Sequence, residues 1–188
     1  MVEELDRDLF VWVVEHRAAP LDWLFVTLSV AGYAGLLWIG LAVVLAVLER
    51  RPVLTTAALT AGTVWAADLL TLGLKALAGR ARPYETLPAA DPLLRADVGQ
   101  SLPSGHAATA FAGAVILAYL FRRFAVPLLV LAALVAFARV YVGVHYPLDV
   151  LLGAVVGTLV ALGVIGAIRL RPRISAGRRR SGAAPPAG

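Results

Sequence analysis

Residues 126–168 read VPLLVLAALVAFARVYVGVHYPLDVLLGAVVGTLVALGVIGAI, two apolar runs joined by a brief polar turn at Gly143–Pro147. Each run, about 126–142 and about 148–168, approaches the roughly 20 residues that carry a helix across a bilayer. Arg139 and Asp149 are the charged residues in the whole stretch, and both lie close to the turn. The pattern predicts two membrane spans whose shared end is chemically equipped.

The same texture extends toward the N-terminus. A third run, about 105–121, stops at Arg122-Arg123, another covers about 53–75, and another about 21–48. The 21–48 run reads either as one tilted span or as an interfacial piece followed by a span starting near Tyr33. Over 188 residues the chain is 60% hydrophobic, with a mean hydropathy of +0.82. A soluble domain of this length needs far less apolar sequence, so the expected fold class is all-α. The expected architecture is a polytopic membrane helix bundle of five to six transmembrane spans with an N-terminal interfacial helix. That helix is read over 3–17: Leu9–Val14 is too short to span, and Trp12 suits headgroup level. Its acidic opening, Glu3, Glu4, Asp6 and Asp8, has the wrong charge for the first region of a secretory signal. The membrane domain is expected over 1–170, with a basic, disordered tail over 171–188. With no cysteine, disulfides and thiolate metal sites are excluded.

The formal charge is +5, yet the arginines cluster at the ends of apolar runs and in the tail. That is a topology signal and gives no nucleic-acid partner. With five spans, Arg50-Arg51, Arg122-Arg123 and the tail, including Arg178–Arg180, fall on one side, which the positive-inside rule makes cytoplasmic. The expected location is the plasma (inner) membrane, multi-pass, with the C-terminal tail cytoplasmic and the 79–103 loop and 143–147 turn outside.

Several ionisable residues then collect at the outer rim. Lys75 follows the cytoplasmic Pro52 by about 22 residues, roughly 33 Å of helix, which is the outer face. Arg82 follows it, His106 opens the 105–121 run from outside, Arg139 lies near the outer end of the 126–142 run, and His145 and Asp149 stand at the start of the 148–168 run. Ionisable groups at such depth default to function. Lys75, Arg82 and Arg139 suit a dianionic phosphate, which arginine grips bidentately. Pro103-Ser104-Gly105-His106 sits where a helix begins, so free N–H groups, the Ser104 hydroxyl and close approach at Gly105 all favour an anion. Asp149, four residues after His145, can hold one imidazole nitrogen and leave the other as nucleophile. His106 remains as general acid.

These residues form motifs. KALAGRARP, residues 75–83, PSGH, residues 103–106, and Arg139-x5-His145-x3-Asp149 occur in order. Their arrangement resembles the phosphatidic acid phosphatase type 2 superfamily, which includes bacterial lipid phosphatases related to undecaprenyl pyrophosphate and phosphatidylglycerol phosphate phosphatases. The resemblance implies a metal-independent hydrolase without cofactor, passing through a phosphohistidine on His145. It implies His106 as the acid and Asp149 as the group that orients His145. It assigns phosphate binding to Lys75, Arg82, Ser104, Gly105 and Arg139. The implied substrates are lipid phosphates: a polyprenyl pyrophosphate, phosphatidylglycerol phosphate or phosphatidic acid. Ala138 stands where the family's third motif usually has Ser, and many relatives have six spans.

Other readings bear on the same residues. A metal at His145 and Asp149 is disfavoured by the nearby cations. Asp68, seven residues before Lys75, is either a buried polar group bonded to Thr63 or Thr71 or a partner that orients Lys75. His16 reads as an exposed helix-end residue. Two other functions share the pattern: a lipid phosphotransferase using the same residues, and a catalytically silent membrane lipid-binding protein.

Overall fold

The computed structural model describes residues 1–94 and 99–181, with 171–181 described by backbone alone. The regular structure among the described residues is helical: α1 (Val2–Glu15), α2 (Ala19–Ala31), α3 (Leu36–Leu48), α4 (Val53–Ala78), α5 (Pro83–Thr86), α6 (Gly105–Leu120), α7 (Ala125–Tyr141) and α8 (Pro147–Ser181). These follow the expected runs in order. By length and composition, Val53–Thr86, Arg122–Tyr141 and Pro147–Leu170 can cross a membrane, and the pair α2–α3 makes a fourth span if taken as one broken helix. Helix α6, with 16 residues, measures roughly 24 Å, short of the ~30 Å hydrocarbon core.

The reason α6 is short and apolar lies in its position. It packs against α4, α7 and α8, and its alanines at 107, 108, 110, 112 and 114 are fully buried. Small residues let the helices close in where no water-driven force operates between them. A Cβ on Gly157 of α8 would stand 2.0 Å from the Ala108 carbonyl oxygen, and one on Gly113 would stand 2.4 Å from the Trp38 ring. Trp38, Val64, Ile116, Leu117 and Val135 fill the core around α6. Leu69, Leu72, Leu151 and Leu159 face outward from α4 and α8, as lipid-facing side chains do.

The first long run is broken rather than tilted. Helices α2 and α3 meet at 59° through the turn Tyr33–Gly35, where Ala34 has φ 50°. Gly35 has φ 72°, and a side chain there would collide with Val64 at 2.1 Å. Both conformation and space therefore require glycine.

The two ends of the bundle differ in chemistry. At one end Glu49 pairs with Arg123, Arg51 lies over Phe121 and Arg169 lies over Tyr119. The opposite end carries α1, α5 and the loop after it. Helix α1 does more than rest on a surface, because it buries Asp6 and Phe10. Phe10 joins Leu87, Ala90, Val140 and Tyr146 in a small core. Arg17 staples the loop to α7 through the carbonyls of Tyr141 and Asp91, each at 2.7 Å. His16 is exposed and stacks on Trp12. The backbone of α8 is helical as far as Ser181, past residue 171, where the sequence predicts a disordered tail. Arginine, a good helix former, fills five of the positions 171–181. Residues 182–188 of that tail lie outside the described residues.

Candidate active site

Three helix ends and two loops converge on one cavity of about 410 Å³. Lys75 projects from the last turn of α4, Arg139 from the last turn of α7 and His106 from the first turn of α6. Arg82 starts α5, and His145 lies in the turn before α8. All five line this cavity together with Gly105 and Asp68, and Tyr33 and Ala34 reach it from the α2–α3 bend. Three cations thus face one carboxylate, which sets the field for an anion.

The arginines are held before any ligand arrives. Arg82 is only 2% exposed. Its Nε donates to the Gly99 carbonyl at 2.9 Å and its Nη1 to the Val144 carbonyl at 3.3 Å. Arg139 donates from Nη1 to the hydroxyl of buried Ser29. The Arg139 carbonyl accepts the N–H groups of Val144 and His145, each at 3.2 Å. That closes the turn, and Gly143 at φ 86° allows it: a Cβ there would meet the Ala90 carbonyl oxygen at 2.6 Å.

His145 is 2% exposed and has two distinct faces. Its Nδ1 lies 3.3 Å from the Ser101 hydroxyl and 3.4 Å from Asp149 Oδ2. Ser101 donates to that same oxygen at 2.5 Å, as does the Tyr146 N–H at 2.9 Å. With acceptors on its side, Nδ1 carries the proton and Nε2 keeps its lone pair. Nε2 lies 3.4 Å from Arg82 Nη1. Burial, with the charges of Arg139 and Arg82, outweighs the pull of Asp149 and holds the imidazole down at about 4. The ring is therefore neutral at physiological pH. An NMR titration of the ligand-free protein is expected to show the His145 ring changing state near pH 4, and a midpoint near the ordinary 6.5 would contradict the burial. Because only the unfolded chain takes up the proton between these values, stability is expected to fall as the pH drops from about 6.5 towards about 4.

Other site residues take less direct places. Asp149 is fully buried and stands behind His145, outside the cavity lining. Ser104, expected on phosphate, is also outside the lining; its hydroxyl caps α6 by accepting the Ala107 N–H at 3.4 Å. Gly105 is where the sequence places it, and a Cβ there would sit 3.2 Å from Asp68 Oδ1. Asp68 shares the cavity with Lys75, close enough for their charges to interact. Thr71 bonds the Asp68 carbonyl and Thr63 that of Leu59, so neither threonine satisfies the Asp68 carboxylate. Ala138 is buried in the cluster of Phe25 and Tyr141 and does not face the cavity.

Four residues that sequence reasoning passed over belong to the surroundings: Ser29, Ser101, Arg80 and Asp6. Arg80 was visible as an extra cation between Lys75 and Arg82, and Asp6 as an acid at a helix position that turns inward. The serines carry no local signal.

Residues 53–173 match the PAP2 superfamily. The bacitracin transport permease protein BcrC of Bacillus licheniformis is 35% identical over 98 residues, 52% of this chain and 48% of that protein. The chain thus spans about half the length of that relative. An undecaprenyl-diphosphatase of Sulfolobus acidocaldarius is 30% identical over 155 residues, 82% of this chain and 74% of that protein. The crystal structure of a transmembrane PAP2-type phosphatidylglycerolphosphate phosphatase from Bacillus subtilis superposes with a TM-score of 0.76 at 25% identity. That superposition covers 89% of this chain and 86% of that one.

Proposed function

The chain belongs to the PAP2 superfamily, and from that premise we propose that it is a membrane phosphatase removing phosphate from a lipid. The observation that carries this reading is one cavity lined by Lys75, Arg82, Arg139, His106 and His145. Cations alone would bind an anion, but a neutral imidazole whose Nε2 lone pair faces Arg82 and a second imidazole in the same cavity equip the site to break a bond.

The phosphoryl group sits among the two arginines and Lys75, which offset charge as it transfers. Nε2 of His145 attacks phosphorus, a P–N bond forms and the P–O bond to the lipid breaks. His106 gives its proton to the departing oxygen. The Nδ1 proton stays with the ring, and Asp149 and Ser101 stabilise the positive charge that develops there. Water then attacks the phosphohistidine, His106 takes its proton, and His145 and orthophosphate are released. Every step in this scheme is assigned to side chains of the cavity and of the residues behind it.

The site lies at the outer rim, with the arginine-bearing end of Arg51, Arg123 and Arg169 in the cytoplasm. The bent α2–α3 pair, α4, α6, α7 and α8 then make five crossings, α6 being buried enough to need less length. A lipid head group meets water there while its tail remains in the bilayer. The substrate classes are a polyprenyl pyrophosphate, phosphatidylglycerol phosphate or phosphatidic acid.

A panel of these lipids, assayed for orthophosphate with the purified protein in detergent, tests the proposal. Release is expected from at least one, unchanged by EDTA and inhibited by millimolar vanadate, which mimics five-coordinate phosphorus. Loss of activity on chelation, no release from any lipid, or transfer of the label to another lipid would refute hydrolysis by this route.

A further inference from the structure

Behind Asp149 lies a polar arrangement that touches no part of the cavity. Arg80 donates from Nη1 to Asp149 Oδ1 at 2.7 Å and from Nη2 to Asp6 Oδ2 at 2.6 Å. The other Asp6 oxygen accepts the Leu148 N–H at 2.7 Å. The Arg80 guanidinium also lies 4.1 Å from the centre of the Tyr146 ring. Asp6 and Asp149 are both buried, and they come from the first and the last helices of the described chain.

We infer that Arg80 and Asp6 are positioning residues for the reaction: they clamp Asp149, and through it His145, so that the N-terminal helix is a working part of the active site. The inference rests on the nucleophilic role of His145 proposed above.

The division of contacts at Asp149 supports it. Oδ2 serves the reacting side, receiving Ser101 and the Tyr146 N–H and facing His145 Nδ1. Oδ1 is held by Arg80. A carboxylate anchored at one oxygen cannot turn the other away. A fully buried carboxylate also needs a paired cation to stay ionised. Arg80 itself lies beyond the end of α4, where Gly79 at φ 62° turns the chain out of the helix. Its direction is set from outside α4: Asp6 takes one of its two terminal nitrogens, and the ring of Tyr146 covers its face. Asp6 in turn reaches Leu148, inside the Tyr146–Asp149 segment. The clamp therefore grips both the carboxylate and the turn that carries it.

A purely structural ion pair would tie α1 to the bundle without affecting turnover, and kinetics distinguish the two. Asp6→Asn keeps shape and an acceptor for the Leu148 N–H but removes the charge, and Arg80→Gln removes the cation. With a lipid phosphate that the wild type hydrolyses, kcat is expected to fall roughly ten- to a hundred-fold. KM and the vanadate inhibition constant should stay within about three-fold, because the phosphate-binding cations are untouched. Arg80→Lys should recover part of kcat, since an ammonium can still pair with Asp149. Unchanged kcat in Asp6→Asn and Arg80→Gln, alongside an inactive His145→Ala, overturns this inference and leaves the proposed function standing. So does a rise in KM alone, or loss of folded protein in Asp6→Asn, Asp6→Glu and Arg80→Lys alike. Activity in His145→Ala overturns the function first and the inference with it.

Discussion

His145→Ala is expected to abolish phosphate release, with kcat lower by at least about a thousand-fold. Among the described residues that line the cavity, His145 is the one with a buried carboxylate behind its ring to orient it for attack, and Ser104, whose hydroxyl caps α6, is not in the lining. The cations remain in place, so the variant should still bind vanadate, since binding of the anion and chemistry on it use different groups. The covalent step has its own signature. Wild-type protein quenched during turnover of a lipid carrying labelled phosphate should retain acid-labile label, and the variant none. Phosphate release by His145→Ala at the wild-type rate would remove the basis of the mechanism. Because His145 is buried, a truncation also leaves a void. His145→Gln, which fills most of that space, should be as inactive and should melt closer to the wild type.

The parts of this site that could be read from sequence are those tied to local rules. Lys75, His106, Arg139 and His145 stand at or near the ends of apolar runs, and a helix rise of 1.5 Å per residue places such ends on one side of a bilayer. The structure lines one cavity with all four and with Arg82, which the KALAGRARP stretch also singles out. The clamp was hidden for the opposite reason. Asp6 and Arg80 are 74 residues apart, and a pair at that separation leaves no periodicity. Its acid also sits on a helix whose sequence describes only an interfacial amphipath. Ser101 and Ser29 are recruited by where the loop and α2 lie in space, which a single hydroxyl cannot announce. Ser104 carries two signals at once: a serine before a helix is also an N-cap, and its hydroxyl accepts the Ala107 N–H. The break at Tyr33–Gly35 was legible as an ambiguity at Tyr33. Packing decides it, because the bend brings Tyr33 and Ala34 to the cavity and presses Gly35 onto Val64.

His106→Ala is expected to reveal its role through the leaving group. A lipid alkoxide is a poor leaving group and must receive a proton as the P–O bond breaks, so losing the acid should slow its release by about 10²–10⁴-fold. An aryl phosphate with an acidic phenol departs without that help. In a rapid-mixing experiment the first turnover of the aryl substrate should therefore stay near the wild-type rate, while that of the lipid collapses. Later turnovers of both should be slow, because hydrolysis of the phosphohistidine also needs His106 to take a proton from water. A burst followed by a slow phase is thus the expected trace for the aryl substrate in the variant. The placement of His106 favours a chemical rather than a packing role. It opens α6 at the cavity wall, facing the Tyr33 ring at 6.3 Å, and its Cδ2 lies 3.4 Å from where a Cβ on Gly32 would be. The clash that requires glycine at that position is with Val135, at 2.8 Å, so His106 borders the α2 end without being wedged by it, and His145 lines the same cavity. Equal losses in the first turnover of both substrates would mean that His106 binds phosphate and donates no proton, and the acid would then have to be sought elsewhere in the cavity.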